Sequence, residues 1–169
     1  MSGLTEALIY VIQTLGQLYL LVALLRFILQ LVRADFYNPL CQFSVKVTQP
    51  LLAPLRRLIP SVAGIDLAGL VLVLLLQLIL MAVLLLLAGV DVLQFFPSML
   101  VWALIAIGGL FLKIFFFALI ISVILSWVAP GSANPGAQLV NQICEPLLAP
   151  IRNILPNLGG LDLSPIFAF

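Results

Sequence analysis

The stretch PLLAPLRRLIPSVAGIDL at residues 50–67 occurs a second time, as PLLAPIRNILPNLGGLDL at residues 146–163. Ten of the 18 aligned positions are identical, among them three prolines, one arginine and one aspartate. The two copies lie 96 residues apart, and the alignment extends without gaps from Asn38 to Val73, where 13 of 36 positions are identical. An apolar segment precedes each copy and another begins after it. The sequence therefore predicts a tandem repeat whose unit is span, linker and span.

The composition places the chain in a membrane. Of its 169 residues, 64% are hydrophobic and 8% are charged, with a mean hydropathy of +1.33, whereas soluble domains carry about 25% charged residues. About 20 consecutive apolar residues are enough to cross the hydrocarbon layer as a helix, and several segments reach that length. The sequence predicts an all-α polytopic membrane protein.

Three apolar segments are long enough to cross a bilayer; they cover residues 8–32, 67–90 and 92–129. The third would form a helix of about 57 Å, which is too long for one crossing. Pro97 and the pair Gly108 and Gly109 are the expected breaks. We therefore expect an interfacial lead-in over residues 92–99 and one long, tilted span over residues 101–128.

A fourth span is expected to begin at Leu163, close to the last residue, Phe169. In the first copy the corresponding segment continues as a full span, so we expect the last helix to be truncated. Two helical hairpins, about four spans in all, then make up the fold, with the first repeat over residues 1–91 and the second over residues 92–169. Because each unit crosses twice, both enter the membrane from the same side, as parallel repeats.

The basic residues indicate the orientation. Four lysines and arginines lie in the linker 33–64 and Arg152 lies in the linker 130–160, whereas the N-terminus and residues 90–100 on the opposite side carry none. Loops rich in lysine and arginine stay in the cytoplasm. The sequence predicts a protein of the bacterial inner membrane with both linkers in the cytoplasm.

Each linker opens with a signal for the start of a helix. The pairs Asn38 and Pro39, and Asn134 and Pro135, place an N-cap asparagine before a proline at the first helical position. Apolar side chains then recur every three to four residues, the period of an amphipathic helix. The expected apolar faces contain Leu40, Phe43 and Val47 in the first linker and Leu139, Ile143 and Leu147 in the second.

Pro50, Pro54 and Pro60 are expected to prevent one continuous helix, because each removes a backbone donor and clashes with the preceding turn. Broken backbone is tolerated at membrane depth only where protein or a wet cavity covers it, and it costs little at the interface. We therefore expect a shallow interfacial segment whose arginines extend towards lipid phosphates. These arginines are Arg56, Arg57 and Arg152.

Asp66 and Asp162 stand just before the spans that follow the linkers. An aspartate there can cap exposed N–H groups and interact with the positive end of the helix dipole. A sharper hypothesis pairs Arg56 with Asp66 and Arg152 with Asp162, since both partners recur at the same ten-residue spacing. Such pairs would close each linker into a compact elbow.

Two basic residues lie inside the spans. Arg26 is about six residues from the end of the first span, within snorkelling reach of the interface, and Ser122 holds the matching place in the second unit. Lys113 aligns with Gln17 and lies in the outer half of the third span or near its middle. Snorkelling accounts for both, but ionisable residues inside a membrane are also candidates for function.

The residue types argue against catalysis, metals and cofactors. The chain has no histidine, the commonest metal ligand and a frequent general base. Cys41 and Cys144 form no Cys-x-x-Cys unit, so we expect small thiols that face apolar surroundings. The net charge is +1, without the long basic run that would indicate nucleic-acid binding. We expect a non-enzymatic protein without a cofactor.

The two P-L-L-A-P-[LI]-R blocks, each followed by P-x-x-x-G-[IL]-D-L, and the SVILSWV end of the third span resemble the YGGT family of small bacterial and plastid membrane proteins. The resemblance covers nearly the whole chain. For bacterial members it implies osmotic tolerance with potassium uptake, and in some cases proximity to cell-division genes. For plastid members it implies nucleoid distribution and maturation of a membrane cytochrome. It carries over no catalytic residue.

Two functions follow from these features as hypotheses. The first is a scaffold or assembly factor that braces another membrane complex, with the bilayer and another membrane protein or a second copy of this chain as partners. The second is a component of ion transport, specifically of potassium, in an osmotic response. Arg26, Lys113 and the broken linkers would supply its polar groups. Four spans with few polar residues line little of a pore, so the second function would need an oligomer.

Overall fold

The computed structural model describes residues 3–62, 64–128 and 134–152, apart from the side chain of Arg152. Over these ranges the chain forms five helices: α1 (Gly3–Leu31), α2 (Pro39–Leu58), α3 (Leu67–Leu87), α4 (Val92–Val128) and α5 (Pro135–Arg152). Three of them, α1, α3 and α4, are long and apolar enough to cross a membrane. The predicted all-α membrane fold is confirmed, and α2 and α5 lie in the two linkers.

The spans pack around α3, which contacts both α1 and α4. Gly16 of α1 permits a close approach, because a Cβ at this position would lie 2.5 Å from Leu80 Cδ1 of α3. Small residues allow transmembrane helices to pack closely in this way. α2 packs on α1 and α3, α5 packs on α4, and the two linker helices touch each other. We call the end of the bundle that carries α2 and α5 the linker end.

The buried core is concentrated at the linker end. It joins α1, α2, α4 and α5 through, among others, Leu24, Ile28, Cys41, Leu119, Ile143 and Cys144. Farther along the spans, many large apolar side chains are exposed on the protein surface, for example Leu15, Ile105 and Leu112. This pattern fits a protein in lipid, where the acyl chains are as apolar as leucine and no packed core is needed to cover such residues.

The prediction that prolines break the linkers into a series of turns is wrong. α2 continues through Pro50 and Pro54, and α5 continues through Pro146 and Pro150. In the first linker only Pro60 lies beyond the helix. The prediction considered the intrinsic cost of proline, about 3 kcal/mol at each interior position, without the contacts that offset it.

Those contacts come from the packing of α2 on α1 and α3. From α1, the Tyr19 hydroxyl also donates to the carbonyl of Val47 at 3.3 Å, and the Arg26 guanidinium donates to the carbonyl of Val45 at 3.3 Å. A helix packed on two spans can therefore retain prolines that would break an isolated one.

The predicted breaks in the third apolar segment are also wrong. α4 is one helix of 37 residues that runs through Pro97, Gly108 and Gly109, so the expected lead-in over residues 92–99 is part of the span helix. Glycine costs only about 1 kcal/mol in a helix interior, which is too little to end a helix packed against α3 and α5. A single continuous helix agrees with the prediction that this segment crosses the membrane once and not twice.

The connection between α3 and α4 covers residues 88–91, where Gly89 adopts a φ of 73° and ends α3. The predicted boundary between the repeats, after residue 91, falls at the end of this connection. The predicted fourth span, from Leu163 to Phe169, lies outside the described residues.

Candidate functional site

The elbow of the first linker is a tight reverse turn between α2 and α3. Val62 and Ile65 exchange backbone hydrogen bonds of 3.2 and 2.9 Å, and Gly64 takes a φ of 82° that favours glycine. This turn brings Arg56, near the end of α2, next to Asp66. Arg56 Nη2 donates to Asp66 Oδ2 at 2.6 Å, so the hypothesised ion pair is confirmed.

Asp66 also caps α3. Its Oδ1 accepts a hydrogen bond from the backbone N–H of Gly69 at 3.2 Å, and only 4% of the residue is exposed. A Cβ at Gly69 would lie 3.0 Å from Asp66 Oδ2, so the glycine leaves room for the carboxylate. One oxygen therefore starts the helix and the other binds the arginine, and the predicted capping role is confirmed as well.

Arg26 is buried against α2, with 5% of the residue exposed. Its Nη1 donates to Thr48 Oγ1 at 2.6 Å and its Nη2 donates to Gln49 Oε1 at 2.9 Å, in addition to the Val45 carbonyl. The expectation that Arg26 snorkels towards the interface is wrong. Three acceptors on α2 replace water or lipid phosphates around the guanidinium, and such charge-assisted hydrogen bonds are strong.

These groups form one polar cluster that joins α1, α2 and the start of α3. We define the clamp by six residues: Arg26, Gln30, Thr48, Gln49, Arg56 and Asp66. Gln30 Oε1 accepts a hydrogen bond from Arg56 at 3.0 Å and so links the ion pair to α1. The clamp contains two guanidinium groups and one carboxylate. Its geometry is suited to holding α2 in place, and it offers no nucleophile positioned beside a base.

The second unit has a neutral contact at the place of Arg26. Ser122 is 5% exposed and its Oγ lies 3.5 Å from Asn141 Oδ1 of α5; Asn141 corresponds to Val45 in the repeat. Cys144 takes the place of Thr48, and both are fully buried. The side chain of Arg152 and all of Asp162 lie outside the described residues, so their pairing remains a prediction.

The predicted helix caps are confirmed and meet at one junction. Asn38 Oδ1 accepts from the N–H of Leu40 at 2.9 Å, and Asn134 Oδ1 accepts from the N–H of Gly136 at 2.8 Å. Asn38 also donates from its Nδ2 to the carbonyl of Pro135 at 2.7 Å. The starts of α2 and α5 are therefore tied to each other across the two repeats.

The face of α2 that packs on the spans differs from the predicted apolar face. The buried residues are Cys41, Ser44, Thr48 and Leu52. Leu40 and Phe43 are exposed and Val47 is half-buried. Sequence reasoning missed this face because small and polar side chains form it, and their partners on α1 are not visible in the periodicity of α2. In α5, by contrast, Leu139 and Ile143 are buried as expected, while Leu147 is exposed.

Lys113 lies away from the linker end and lines a cavity of about 360 Å³ between α1, α3 and α4. Three glutamines share this cavity: Gln13, Gln17 and Gln77. The sequence aligned Lys113 with Gln17, but their convergence with Gln77 of α3 on one cavity required the packing of the spans. Arg57, the remaining candidate, is exposed at the end of α2.

Both cysteines are buried, as expected. Burial raises the pKa of the Cys41 thiol, and the negative charge of Asp35 raises it further. The thiol therefore stays protonated and unreactive at neutral pH. Among the described residues, no group of three or more acidic or cysteine side chains is placed to hold a metal ion.

The model of the CCB3/YggT family matches this chain over residues 5–87 and 101–169, two segments that fit the tandem repeat. An uncharacterized protein, PA0392, of Pseudomonas aeruginosa is 71% identical over 169 residues, which cover all of this chain and 86% of that protein. The uncharacterized protein YggT of Escherichia coli K12 is 39% identical over 161 residues, or 95% of this chain and 82% of that protein. YlmG homolog protein 2, chloroplastic, of Arabidopsis thaliana is 38% identical over 78 residues, or 43% of this chain and 30% of that protein.

No solved structure matches the chain. The family model nevertheless covers both repeats, and the relatives from Pseudomonas and Escherichia match 100% and 95% of this chain. With its duplicated linker and its membrane-spanning helices, the chain belongs to the CCB3/YggT family.

Proposed function

We propose that the protein is a non-enzymatic scaffold or assembly factor of the bacterial inner membrane, with α2 braced against another integral membrane protein at the cytoplasmic face. The observation that supports this most directly is the clamp. It holds α2 on two spans through buried charge-assisted hydrogen bonds, while other faces of α2 remain exposed. A preformed surface loses less conformational entropy on binding than a mobile one.

The exposed surface of α2 carries an apolar stripe, which we call the α2 stripe: Leu40, Phe43, Leu51 and Leu58. At 100° per residue these four positions fall within about 80° of one another on the helix. Phe43 is 58% exposed and Leu58 is 80% exposed. Arg57 borders the stripe on the side away from the clamp. A partner that combines apolar side chains with an acidic group fits this surface.

The charges favour the first linker over the second as the docking element. The first linker has Arg56 and Arg57 where the second has Arg152 and Asn153. Because the clamp uses Arg56, Arg57 remains available at the surface. A protein partner would pair an acidic group with it, whereas lipid alone would cover the stripe without fixed geometry.

Site-specific photo-crosslinking tests the proposal. A photoreactive phenylalanine analogue at Phe43 should give a discrete protein adduct in membranes, and Arg57→Glu should reduce its yield several-fold because it repels an acidic partner. The same analogue at Phe117, which is 55% exposed in the second half of α4, is the control and should give mainly lipid adducts. If the adduct is heavier than the labelled protein by the mass of one further chain, 18.3 kDa, the partner is a second copy.

Lipid adducts alone at Phe43, or an adduct whose yield does not depend on Arg57, would contradict the scaffold. The second candidate, potassium transport in an osmotic response, is favoured by the carboxamide oxygens of Gln13, Gln17 and Gln77, which line one cavity, whereas the positive charge of Lys113 in the same cavity opposes it. Potassium flux into liposomes that contain only the purified protein, lost in Gln77→Leu, would support transport and overturn a pure scaffold.

A further inference from the structure

The polar cavity lies near the middle of the bilayer. α3 has 21 residues and a length of about 31 Å, which matches the hydrocarbon thickness of about 30 Å. Gln77 is the central residue of α3, about 15 Å from either end. Because Gln13, Gln17 and Lys113 line the same cavity, we infer that all four polar side chains lie near the middle of the bilayer, with Gln13, Gln17 and Lys113 exposed at the protein surface.

The charge of the lining has one sign. Lys113 contributes an ammonium group, the three glutamines contribute neutral carboxamides, and the residues that line the cavity include no acid. An unpaired charge at this depth is costly, and intramembrane lysines are usually paired. A cation would be repelled by Lys113, whereas an anion would neutralise it and accept hydrogen bonds from the carboxamide NH₂ groups.

We propose that this cavity is a binding site for a small inorganic anion of the chloride class, held by Lys113 and the glutamine carboxamides. The volume of about 360 Å³ exceeds that of one anion and leaves space for several waters, each of which occupies about 30 Å³. A lipid phosphate is the other source of negative charge, but headgroups lie about 15 Å from Gln77, which favours a free anion. The site is independent of the α2 stripe and does not rest on the scaffold proposal.

The test measures the thermal stability of the purified full chain in detergent, with chloride replaced stepwise by gluconate, a bulky and strongly hydrated anion, at constant ionic strength. A ligand that binds only the folded state raises the Tm with its concentration. We expect the wild-type Tm to rise and saturate with chloride, and the response of Lys113→Gln to be at least tenfold weaker. Lys46→Gln, which changes the only other lysine of the chain, should respond like the wild type.

A second measurement needs no variant at Lys113. Since the chain has only two lysines, mass spectrometry can follow amine labelling of each in the wild type. Chloride should slow the labelling of Lys113 several-fold and leave Lys46 unchanged. Gln77→Leu removes one carboxamide from the cavity. It should therefore raise, several-fold, the chloride concentration that gives half-maximal protection of Lys113 from labelling.

Equal Tm and equal labelling in chloride and gluconate would overturn the proposal, as would a chloride response that survives in Lys113→Gln. In a parallel arm, phosphatidylglycerol is added to the micelles in gluconate. Protection of Lys113 by this lipid, without protection by chloride, would assign the site to a headgroup and also overturn it.

Discussion

Asp66 shows how one buried side chain can have two structural roles. Its two oxygens bind different groups, the Arg56 guanidinium and the first turn of α3. A buried carboxylate is destabilising unless hydrogen bonds and an opposite charge compensate it. Here both are present, and the missing side chain of Gly69 provides the space.

The ion pair and the cap can be separated experimentally at Asp66. Asparagine caps helices as well as aspartate does, so Asp66→Asn should keep the cap and lose the pair. We expect a loss of about 1–3 kcal/mol in unfolding free energy, because Arg56 and Arg26 then lack a negative neighbour. Since Arg56 is 38% exposed, solvent screening favours the lower end of this range. Unfolding in mixed micelles measures it.

Asp91 is the matched control. It accepts from the N–H of Leu93 at 3.0 Å at the start of α4, is exposed, and makes no ion pair within the described residues. Asp91→Asn should therefore change stability by less than about 0.5 kcal/mol. Equal losses in the two variants would show that the ion pair with Arg56 contributes nothing.

At the scale of the element, α2 is attached to the spans through a face of small and polar residues. Thr48 is fully buried, accepts from Arg26 at 2.6 Å and donates to the carbonyl of Ser44 at 2.7 Å. Ser44 is buried on the same face, but its hydroxyl donates only within α2, to the carbonyl of Leu40. The two hydroxyls therefore differ in whether they join α2 to α1.

Cys41 reports on this attachment, because it is fully buried on the same face of α2. Thr48→Val deprives the Arg26 guanidinium of an acceptor, and we expect α2 to open more often and alkylation of Cys41 to accelerate at least tenfold. Ser44→Ala should change the rate little. Cys144, buried beside α4, serves as the internal reference. The high pKa of the Cys41 thiol slows its reaction in the closed state at neutral pH.

Mass spectrometry after timed alkylation at neutral pH gives both rates in one sample. Unchanged labelling of Cys41 in Thr48→Val would show that the contact with Arg26 does not hold α2 in place. Equal acceleration at Cys144 would instead indicate global destabilisation of the bundle.

At the scale of the whole molecule, the two repeats share one architecture but not one chemistry. Each unit places a long span before a helix with two internal prolines. The first unit fixes its linker helix with Arg26, and the second uses Ser122 and Asn141 at the equivalent place. The hydrogen bond from Asn38 to the Pro135 carbonyl ties the two linker helices together. Within the described residues, both units thus pack a proline-containing helix on the preceding span, while the buried arginine at this place belongs to the first unit.

The parallel arrangement makes a topology prediction. Reporter domains fused before α1 or inserted at Val90, in the connection between α3 and α4, should read as exported. A reporter inserted at Ser61, in the elbow, should read as cytoplasmic. The physical reason is the bias of lysine and arginine towards the linkers. Export of the reporter at Ser61, or opposite locations for the two fusions on the other side, would contradict the arrangement.

Much of this protein follows from local sequence signals. The membrane class, the tandem unit and the asparagine caps are properties of short segments, which composition and residue type determine without distant contacts. The pair between Arg56 and Asp66 is also local, because ten residues with a proline and a glycine can turn back only within a small radius. These predictions are confirmed for the described part of the chain.

The tertiary structure alone decided the rest. Whether Pro50 and Pro54 end a helix depended on the packing of α2 on α1 and α3, and whether Arg26 reaches lipid or protein depended on acceptors 19 to 23 residues away on α2. The polar cavity likewise forms only where α1, α3 and α4 pack against one another, because each of these helices contributes part of its lining. In each case the free energy of a residue is determined by groups that approach it only after the helices have packed. The duplicated stretch at residues 50–67 and 146–163 therefore predicted a linker and its elbow. Packing determined that the first linker is a helix held by Arg26 of the preceding span.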